Sequence, residues 1–449
     1  MRKKPRIVKV VSKKLPWLEH IIESSKVAKD LNYEKQLLFH VPKGSLCVAC
    51  KGSKMLCGKR RCPLLSQIYA YLRNRYGYDK EHVEGDSPPS VFIGRIGYPY
   101  VYAGPLVPPL RGNTSIYDFP EKWLNLSIDK IVDYRFKLVR GKFKVHVKKF
   151  EGPLMDATME LALSESPVYA DMLLKRKPFR SFILDDDVQP IGPSAPITLL
   201  DIGNPKWDKH VQKAYYDDDL KASEAVIELY RKGVPVSRIQ KCLSVGAFGI
   251  KQLRRLVPTR WSITAVDSII SQELMSNVKR LEPINEYRVY EANFLDNSFI
   301  VLMMPDGWRY ELIEAWYPGT TWNPSNRNII MLGDWEPYTG RTTYASIGGC
   351  YYAARLAVTE HLSKIGRQAS VVIFREARPG YIMPVGVWVV RETVRKALRE
   401  KPLKFDAFKD AITYIAKRLR IDISYWINES KVIREHLKQR KLTEYIKHE

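Results

Sequence analysis

Residues 287–316 read YRVYEANFLDNSFIVLMMPDGWRYELIEAW, and this stretch decides the fold class. Val289 to Met304 and Trp308 to Trp316 are strand-like runs, and the Asp306-Gly307 pair between them is a turn former. The pattern predicts an antiparallel hairpin folded at Asp306-Gly307. Downstream, helix and strand signals mix. Thr342 to Lys364 enters a long helix through Gly348-Gly349, and Val371 to Arg375 reads as a strand. Val385 to Glu400 begins as a strand and ends as a helix, and Phe405 to Arg418 is another helix. Trp316, Trp322 and Trp335 enrich the first half of this region and read as core more readily than as base-stacking platforms.

Upstream, Leu64 to Tyr76 reads as a short helix starting just past Pro63. The Pro/Gly-rich stretch SPPSVFIGRIGYPYVYAGPLVPPLRG, Ser87 to Gly112, forbids long helix and predicts strands joined by tight turns. Leu199 to Asp201 lies in a second such stretch, IGPSAPITLLDIGNP, and Lys209 to Lys232 is helical up to Gly233. In PVSRIQKCLSVGAFGIKQLRRLVPTRW, two short helices, Val236 to Leu243 and Phe248 to Val257, flank a turn at Ser244 to Gly246. That arrangement is helix-turn-helix-like and projects Lys251, Arg254 and Arg255 from its second helix. The expected fold is α+β with two main domains, a small four-cysteine metal-binding element near the N-terminus and a helical C-terminal tail. The expected boundaries are a basic arm over 1–30, an N-terminal domain over 31–286 with the metal element at 44–65, a C-terminal domain over 287–428, and a tail over 429–449.

Charge narrows the function. The 449 residues include 73 Lys and Arg against 49 Asp and Glu, a net charge of +24. A field of that size attracts polyanions, of which DNA and RNA are the commonest in cells. No apolar run approaches the ~18 residues of a membrane span, and no long interfacial amphipathic helix is present. The opening MRKKPRIVKVVSKKLPW is charged without an apolar core, unlike a secretory signal, so a cytoplasmic chain is expected. Basic residues cluster: Arg2 to Lys14 holds seven and no carboxylate, and so does Arg135 to Lys149. In the second cluster Phe143, Val145 and Val147 alternate with Lys142, Lys144, His146 and Lys148, which is strand periodicity, and Gly141 marks a turn. The expected product is a hairpin with one apolar and one cationic face, serving either nucleic-acid contact or a solvated edge that resists aggregation.

Cys47, Cys50, Cys57 and Cys62 are spaced C-x2-C-x6-C-x4-C, close enough to converge on one tetrahedral metal ion, with Gly44, Gly52 and Gly58 allowing the turns. Disulfides belong to small scaffolds in oxidising compartments, so the metal reading leads. Zn2+ fits best, and Cys62-Pro63 keeps an iron–sulfur cluster as the alternative. Lys51, Lys54, Lys59, Arg60 and Arg61 make the loop basic. Cys242 and Cys350 are isolated and read as buried.

No complete catalytic signature is present, neither a phosphate-cradling P-loop, a nucleophile elbow nor a His-Glu-x-x-His pair. Asp201, Asp208 and Asp217 to Asp219, with His210 among them, are the carboxylates available for metal-dependent phosphodiester chemistry. Tyr98, Arg95, His210, Arg375 and Arg378 sit in turn-rich stretches as further polar candidates. Gly348-Gly349 before a helix, with Arg341 and Ser346 nearby, reads either as an anion site or as close helix packing. At the end of the chain Gln439, Leu442, Tyr445 and Ile446 fit a Q-x-x-h-x-x-a-h pattern. On one helical turn the last three form an apolar plug, with Gln439 at its rim. The pattern resembles the motif by which replication and repair proteins bind the sliding clamp PCNA, with Ile446 where a second aromatic is usual.

The cysteine cluster, SVFIGRIGYPYVYAGP, LVPTRWSITAVD (Leu256 to Asp267), FREARPGYIMPVGVWVVRE (Phe374 to Glu392) and the terminal peptide together resemble the archaeal Nre family over nearly the whole chain. The resemblance implies a two-part architecture, a zinc-finger-like element near the N-terminus, and DNA-damage repair with PCNA. It supplies no catalytic residues. The expectation is therefore a DNA-repair protein with Zn2+ at the four cysteines, DNA or RNA contacts at Lys59, Arg60, Arg61, Lys142, Lys144, Lys148, Lys251, Arg254 and Arg255, and no membrane partner. The alternatives are a metal-dependent nuclease or phosphodiesterase, and a non-enzymatic RNA-binding protein.

Overall fold

The computed structural model describes residues 38–40, 50, 52–179, 181–183, 189–320, 323 and 328–438. Cys47, the 1–30 arm, Trp322 and the terminal peptide with Gln439, Leu442, Tyr445 and Ile446 lie outside the described residues. The fold is mixed α+β, as expected, with two six-stranded sheets and a short parallel pair. The N-terminal half carries β1 (Leu38–His40), β2 (His82–Ser87), β3 (Val91–Ile93), β4 (Tyr100–Val107), β5 (Val139–His146), β6 (Val168–Leu174), β7 (Ser181–Ile183) and β8 (Ser194–Ile202). Six of these form a sheet in the order β2-β6-β8-β5-β4-β3, and β1 pairs with β7. The C-terminal half carries β9 (Tyr287–Phe294), β10 (Asn297–Met304), β11 (Arg309–Trp316), β12 (Ile330–Glu336), β13 (Ser370–Ala377) and β14 (Leu403–Phe405), ordered β12-β11-β13-β10-β9-β14.

The strands of residues 287–316 form, but the hairpin does not close at Asp306-Gly307. β13 lies between β10 and β11, antiparallel to the first and parallel to the second. The start of β13 plugs the turn: Ser370 Oγ donates to the Gly307 carbonyl at 2.7 Å, and the Trp308 amide donates to Gln368 Oε1 at 3.0 Å. The tight hairpin joins β9 to β10 through Leu295 and Asp296, both at positive φ (49° and 58°). These non-glycine residues hold a conformation that sequence ordinarily signals with Asn-Gly. Asp296 is held there because its carboxylate accepts from the Gly380 amide (2.6 Å) and its carbonyl from the Arg378 amide (3.0 Å).

Other expectations change in the same physical way. Gly141 is no turn, since β5 runs straight through it between β4 and β8. A Cβ there would lie 2.4 Å from Met172 Sδ, so the glycine serves close approach. The helix-turn-helix does not form. The Val236–Ser244 helix is followed by a loop with Gly246 and Gly249 at φ 76° and 115°, one 3₁₀ turn at Lys251–Leu253, and then the Thr259–Val278 helix. A right-handed helix cannot run through Gly249 in that conformation. The Lys209 to Lys232 region splits into helices Lys209–Tyr216 and Ala222–Arg231, and the segment at Val385 holds no strand before the Trp388–Arg399 helix.

The two sheets are buried differently. Every residue of β10 and β13 is buried. On one face of that sheet Phe299, Val301, Met303, Leu312 and Ile373 pack with the Gly349–Ile365 and Trp388–Arg399 helices. On the other, Ile300, Leu302, Ile313 and Phe374 pack under helices Phe408–Arg418, Ile423–Glu429 and Lys431–Lys438. The tail thus begins as a docked helix, with Val432 and Ile433 fully buried. The N-terminal sheet covers its inner residues, such as Val101, Ala103, Ala170 and Met172, with helices that include Pro63–Arg73, Ile128–Lys137 and Pro153–Leu163. Of its outer residues Tyr100, Tyr102 and Lys144 are exposed, Arg140 and Lys142 are part-buried, and Leu106 is buried. Capping fixes the helix starts: Ser127 accepts from the Lys130 amide, and Asp208 from the His210 and Val211 amides. Among the described residues no helix is long and apolar enough to cross a membrane.

Buried ions tie the halves together. Arg391 Nη1 donates to both carboxylate oxygens of Asp267 at 2.9 and 3.0 Å, and Gln240 Nε2 donates to the same carboxylate at 3.0 Å. Arg355 bonds Glu336 at 2.8 Å and Ser271 Oγ at 3.0 Å. Removing one member of such a pair strands a charge in the core. Arg391→Ala is expected to lower unfolding free energy by about 3–5 kcal/mol, read from urea denaturation. Arg231→Ala, which breaks the exposed pair with Glu273, is expected to cost less than about 1 kcal/mol.

Candidate nucleic-acid interface

Strand alternation builds the outer face of the N-terminal sheet. On β4, Val101 and Ala103 point into the core, so Tyr100 and Tyr102 point out. They stand opposite His146 and Lys144 of β5. Lys142 and Arg140 continue the β5 row at the same period, and Phe92 of β3 faces Gly104. The rings are open: Tyr98 is 47% exposed, Tyr100 55%, Tyr102 48% and Trp261 46%. Tyr100 meets the His146 ring edge-on at 4.9 Å. Lys144 Nζ sits 5.5 Å over Tyr100, Lys142 Nζ 5.7 Å over Tyr102, and the Arg140 guanidinium 4.1 Å over Phe92. Each cation therefore rides beside a ring, which holds it at the surface without neutralising it.

Among the described residues no carboxylate pairs with Arg140, Lys142, Lys144 or Lys148. Lys142 donates to Ser194 Oγ at 3.3 Å, and Arg140 Nη2 to the Tyr102 carbonyl at 3.3 Å. Arg140 Nε is buried without a hydrogen-bond partner. Burial pushes the Arg140 guanidinium down to about 10. Burial, then repulsion from Arg140 and Arg176, lowers the Lys142 ammonium. The other half of the same face mixes signs: Glu84 and Asp86 on β2 pair with Arg111, Asp171 on β6 pairs with His82, and β8 carries Asp201.

At the end of β4 the row turns a corner. Tyr98 packs against Trp261 with centroids 5.4 Å apart, and the Ile93 amide donates to Thr259 Oγ1 at 2.9 Å. The GYPYVY and LVPTRW stretches, distant in sequence, thus meet. Lys148 and Arg255 are exposed near this corner, where the Leu256 amide bonds the Val147 carbonyl.

The other predicted contacts divide. Lys251 bonds Asp218 at 2.9 Å, and Arg254 bonds the Gly249 and Asp217 carbonyls at 2.7 and 3.0 Å, so both tie the loop down. Arg61 pairs with Asp129, and exposed Arg60 lies on the cysteine loop with Lys59. That loop turns at Gly52 (φ 70°), Met55 (φ 47°) and Gly58 (φ 73°). Cys50 is buried, and Cys57 and Cys62 are half-buried. The loop docks on the connection after β11, where a Cβ on Gly319 would fall 2.2 Å from the Cys57 carbonyl oxygen. Among the described residues no three His, Cys, Asp or Glu side chains converge as a ligand set.

The carboxylates weighed for phosphodiester chemistry do not come together. Asp201 is on the outer face, Asp208 caps a helix and bonds Arg238 at 3.4 Å, Asp217 accepts from the Asp219 and Leu220 amides, and Asp218 holds Lys251. Arg375 is a buried strut, bonded to Glu314 at 2.6 Å and to Asn297 Oδ1 at 2.8 Å, and Arg378 pairs with Glu376. At Gly348-Gly349, Asp334 already takes both Arg341 (2.9 Å) and the Ser346 amide (2.6 Å). A Cβ on Gly349 would sit 3.1 Å from Val387 Cγ1, so Gly349 serves packing, while Gly348 holds φ 64° at the helix entry. Burial pushes the Cys242 and Cys350 thiols up to about 12, assisted at Cys350 by Glu314, which leaves neither a ready nucleophile. Tyr100, Tyr102 and Trp261 were not singled out in the sequence. The signal was present as Tyr98, Tyr100 and Tyr102, alternating in YPYVY in step with Lys142, Lys144 and His146.

Together these features define a two-sheet α+β protein in which one sheet face exposes aromatic and cationic side chains on one half and mixed charges on the other. The chain belongs to the archaeal Nre family. The model described as Archaeal Nre, N-terminal, matches residues 56–323, and that described as Archaeal Nre, C-terminal, residues 336–445. Among similar proteins, DNA repair protein NreB of Archaeoglobus fulgidus is 41% identical over 401 residues, 89% of this chain and 100% of the relative. DNA repair protein NreA of the same organism is 38% identical over 376 residues, 83% of this chain and 93% of the relative. DNA repair protein NreA of Haloferax volcanii is 36% identical over 361 residues, 77% and 86% respectively. No solved structure matches the chain.

Proposed function

We propose that this chain is a DNA-repair protein that binds nucleic acid through the cationic half of its open sheet face and is recruited to the sliding clamp PCNA by its terminal peptide. The repair role is taken from the names of the relatives. The observation that carries the binding reading is the row Arg140, Lys142, Lys144 and Lys148, which has no carboxylate partner among the described residues. Elsewhere Arg61, Lys251 and Arg254 are paired. An unpaired row with like-charged neighbours gains most from a polyanion, which releases counterions as it binds. Each phosphate contact contributes about 0.7–0.9 to the slope of log affinity against log salt. Lys142→Gln with Lys144→Gln and Lys148→Gln is therefore expected to flatten that slope by about 2–3, measured by fluorescence anisotropy with labelled DNA. An unchanged slope removes this face from the reading.

The docked Lys431–Lys438 helix supports the tethering half, because it leads directly into Gln439, Leu442, Tyr445 and Ile446. Deleting residues 439–449 is expected to abolish heat of binding to PCNA in calorimetry while leaving the thermal midpoint unchanged, since the buried anchors Val432 and Ile433 remain. In the N-terminal element, Cys47, Cys50, Cys57 and Cys62 would hold Zn2+. The donor set fits in its chemistry, four thiols within sixteen residues. The bound ion would supply a structural crosslink and no chemistry of its own. Elemental analysis of the purified protein is expected to give one zinc per chain, lost in Cys50→Ser. Visible absorption from a cluster chromophore instead assigns the site to iron and sulfur.

A further inference from the structure

We infer that the strand bound on this face is single-stranded DNA, its bases stacked on Tyr98, Tyr100, Tyr102 and Trp261. The inference rests on the nucleic-acid reading above and goes beyond it by naming the form of the ligand. Three observations carry it. First, rings stand out from the face, each about half exposed, with the cations beside them: Lys142 and Arg140 are part-buried, and Lys144 is exposed beside Tyr100. A duplex presents phosphates outward and hides its base faces, so it would meet the rings with nothing to stack on them. A single strand offers a π-face at every nucleotide.

Second, Tyr100 and Tyr102 are two residues apart on one strand, about 7 Å at ~3.4 Å per residue. That is about twice the ~3.4 Å rise per nucleotide in a duplex. Neighbouring bases reach both rings only after they have separated from each other. Tyr98 and Trp261 extend the row past the end of β4, their rings 5.4 Å apart. The β5 cations Lys142 and Lys144 run parallel to that row, where the sugar-phosphate chain of such a strand lies.

Third, charge sets the path. On the β2-β6-β8 half of the face Glu84 and Asp86 are paired with Arg111 and Asp171 with His82, and Asp201 adds a further carboxylate, so among the described residues that half presents no row of cations to a polyanion. The strand is therefore confined to a track along β4 and β5, from Arg140 toward Trp261. Stacking reads no base identity, so binding is sequence-tolerant.

The test uses the full-length protein and fluorescence anisotropy at one fixed salt concentration. The probes are an oligothymidine of about 20 nucleotides, a mixed-sequence duplex of about that length, and the matching oligouridine. The single strand is expected to bind at least about 10-fold tighter than the duplex. Tyr100→Ala with Tyr102→Ala is expected to weaken it by about 5-fold to 150-fold per ring, with the salt slope unchanged. Tyr100→Phe with Tyr102→Phe keeps the rings and retains affinity, which separates stacking from misfolding. Equal or tighter duplex binding overturns the inference, as does single-strand affinity indifferent to the alanine changes. Tighter binding of oligouridine overturns the assignment to DNA. If no probe binds and the lysine variants change nothing, the nucleic-acid reading itself has failed; if lysine-dependent binding persists without ring dependence, only the stacking inference has.

Discussion

The carboxylate of Asp267 has no access to water and takes three hydrogen bonds, two from Arg391 and one from Gln240. Those residues come from three helices: Val236–Ser244 of the N-terminal half, Thr259–Val278, and Trp388–Arg399 of the C-terminal half. Desolvating such charges is costly, and the attraction repays it only in good geometry. The helices therefore have little freedom to slide without breaking the pair. Arg395, bonded to Glu360, and Arg355, bonded to Glu336, brace the same layer further along. With the middle layer fixed, the inner surfaces of both sheets are committed to it. What each sheet does with its other surface is then the only structural freedom left.

The two sheets use that freedom oppositely, and their sequences differ accordingly. NSFIVLMM in β10 is apolar on both registers, so a second helical layer must cover it, and the C-terminal helices do so. In β4 and β5 the registers separate, with Val101 and Ala103 in and Tyr100, Tyr102, Lys142 and Lys144 out. A face this aromatic is usually covered by another layer. Here lysines and Arg140 line it instead, and the rings of Tyr100 and Tyr102 stay about half exposed. The Lys431–Lys438 helix is seated on the far face of the other sheet, in a different layer from the face of β4 and β5.

How legible this was in the sequence depended on whether a signal was local. Periodicity located most strands and helices. Pro63, Gly233 and the Gly348-Gly349 entry marked helix boundaries because each acts through its own backbone. The insertion of β13 between β10 and β11 was not legible, because Ser370 and Gln368 reach the Gly307 turn from more than sixty residues away. The Leu295-Asp296 turn was hidden for a related reason: its αL conformations are held by Arg378 and Gly380 rather than by glycine. Gly141 misled in the reverse sense, since a glycine in a strand marks either a turn or a close approach, and Met172 on β6 decides which. The lysines of β5 were readable from composition. Their ring partners required the β4–β5 register, and Trp261 required the meeting of two stretches far apart in the chain.

The net charge of +24 takes on a different meaning once it is placed. Spread evenly, it would describe a soluble surface. In the structure several cations are tied down in ion pairs, and buried ones such as Arg355, Arg375 and Arg391 act as struts. Among the described residues no carboxylate pairs with the β5 row, and Lys142 is held there against repulsion from Arg140 and Arg176. A stable fold has ready means to relieve such repulsion: β6 and β8 of the same sheet carry carboxylates, yet those lie on the other half of the face. Separating the charges costs stability and leaves a gradient across an open surface. Solubility needs no such gradient, because a mixed surface provides it at lower cost. An extended anion laid along β4 and β5, the ligand proposed above, would cancel that repulsion.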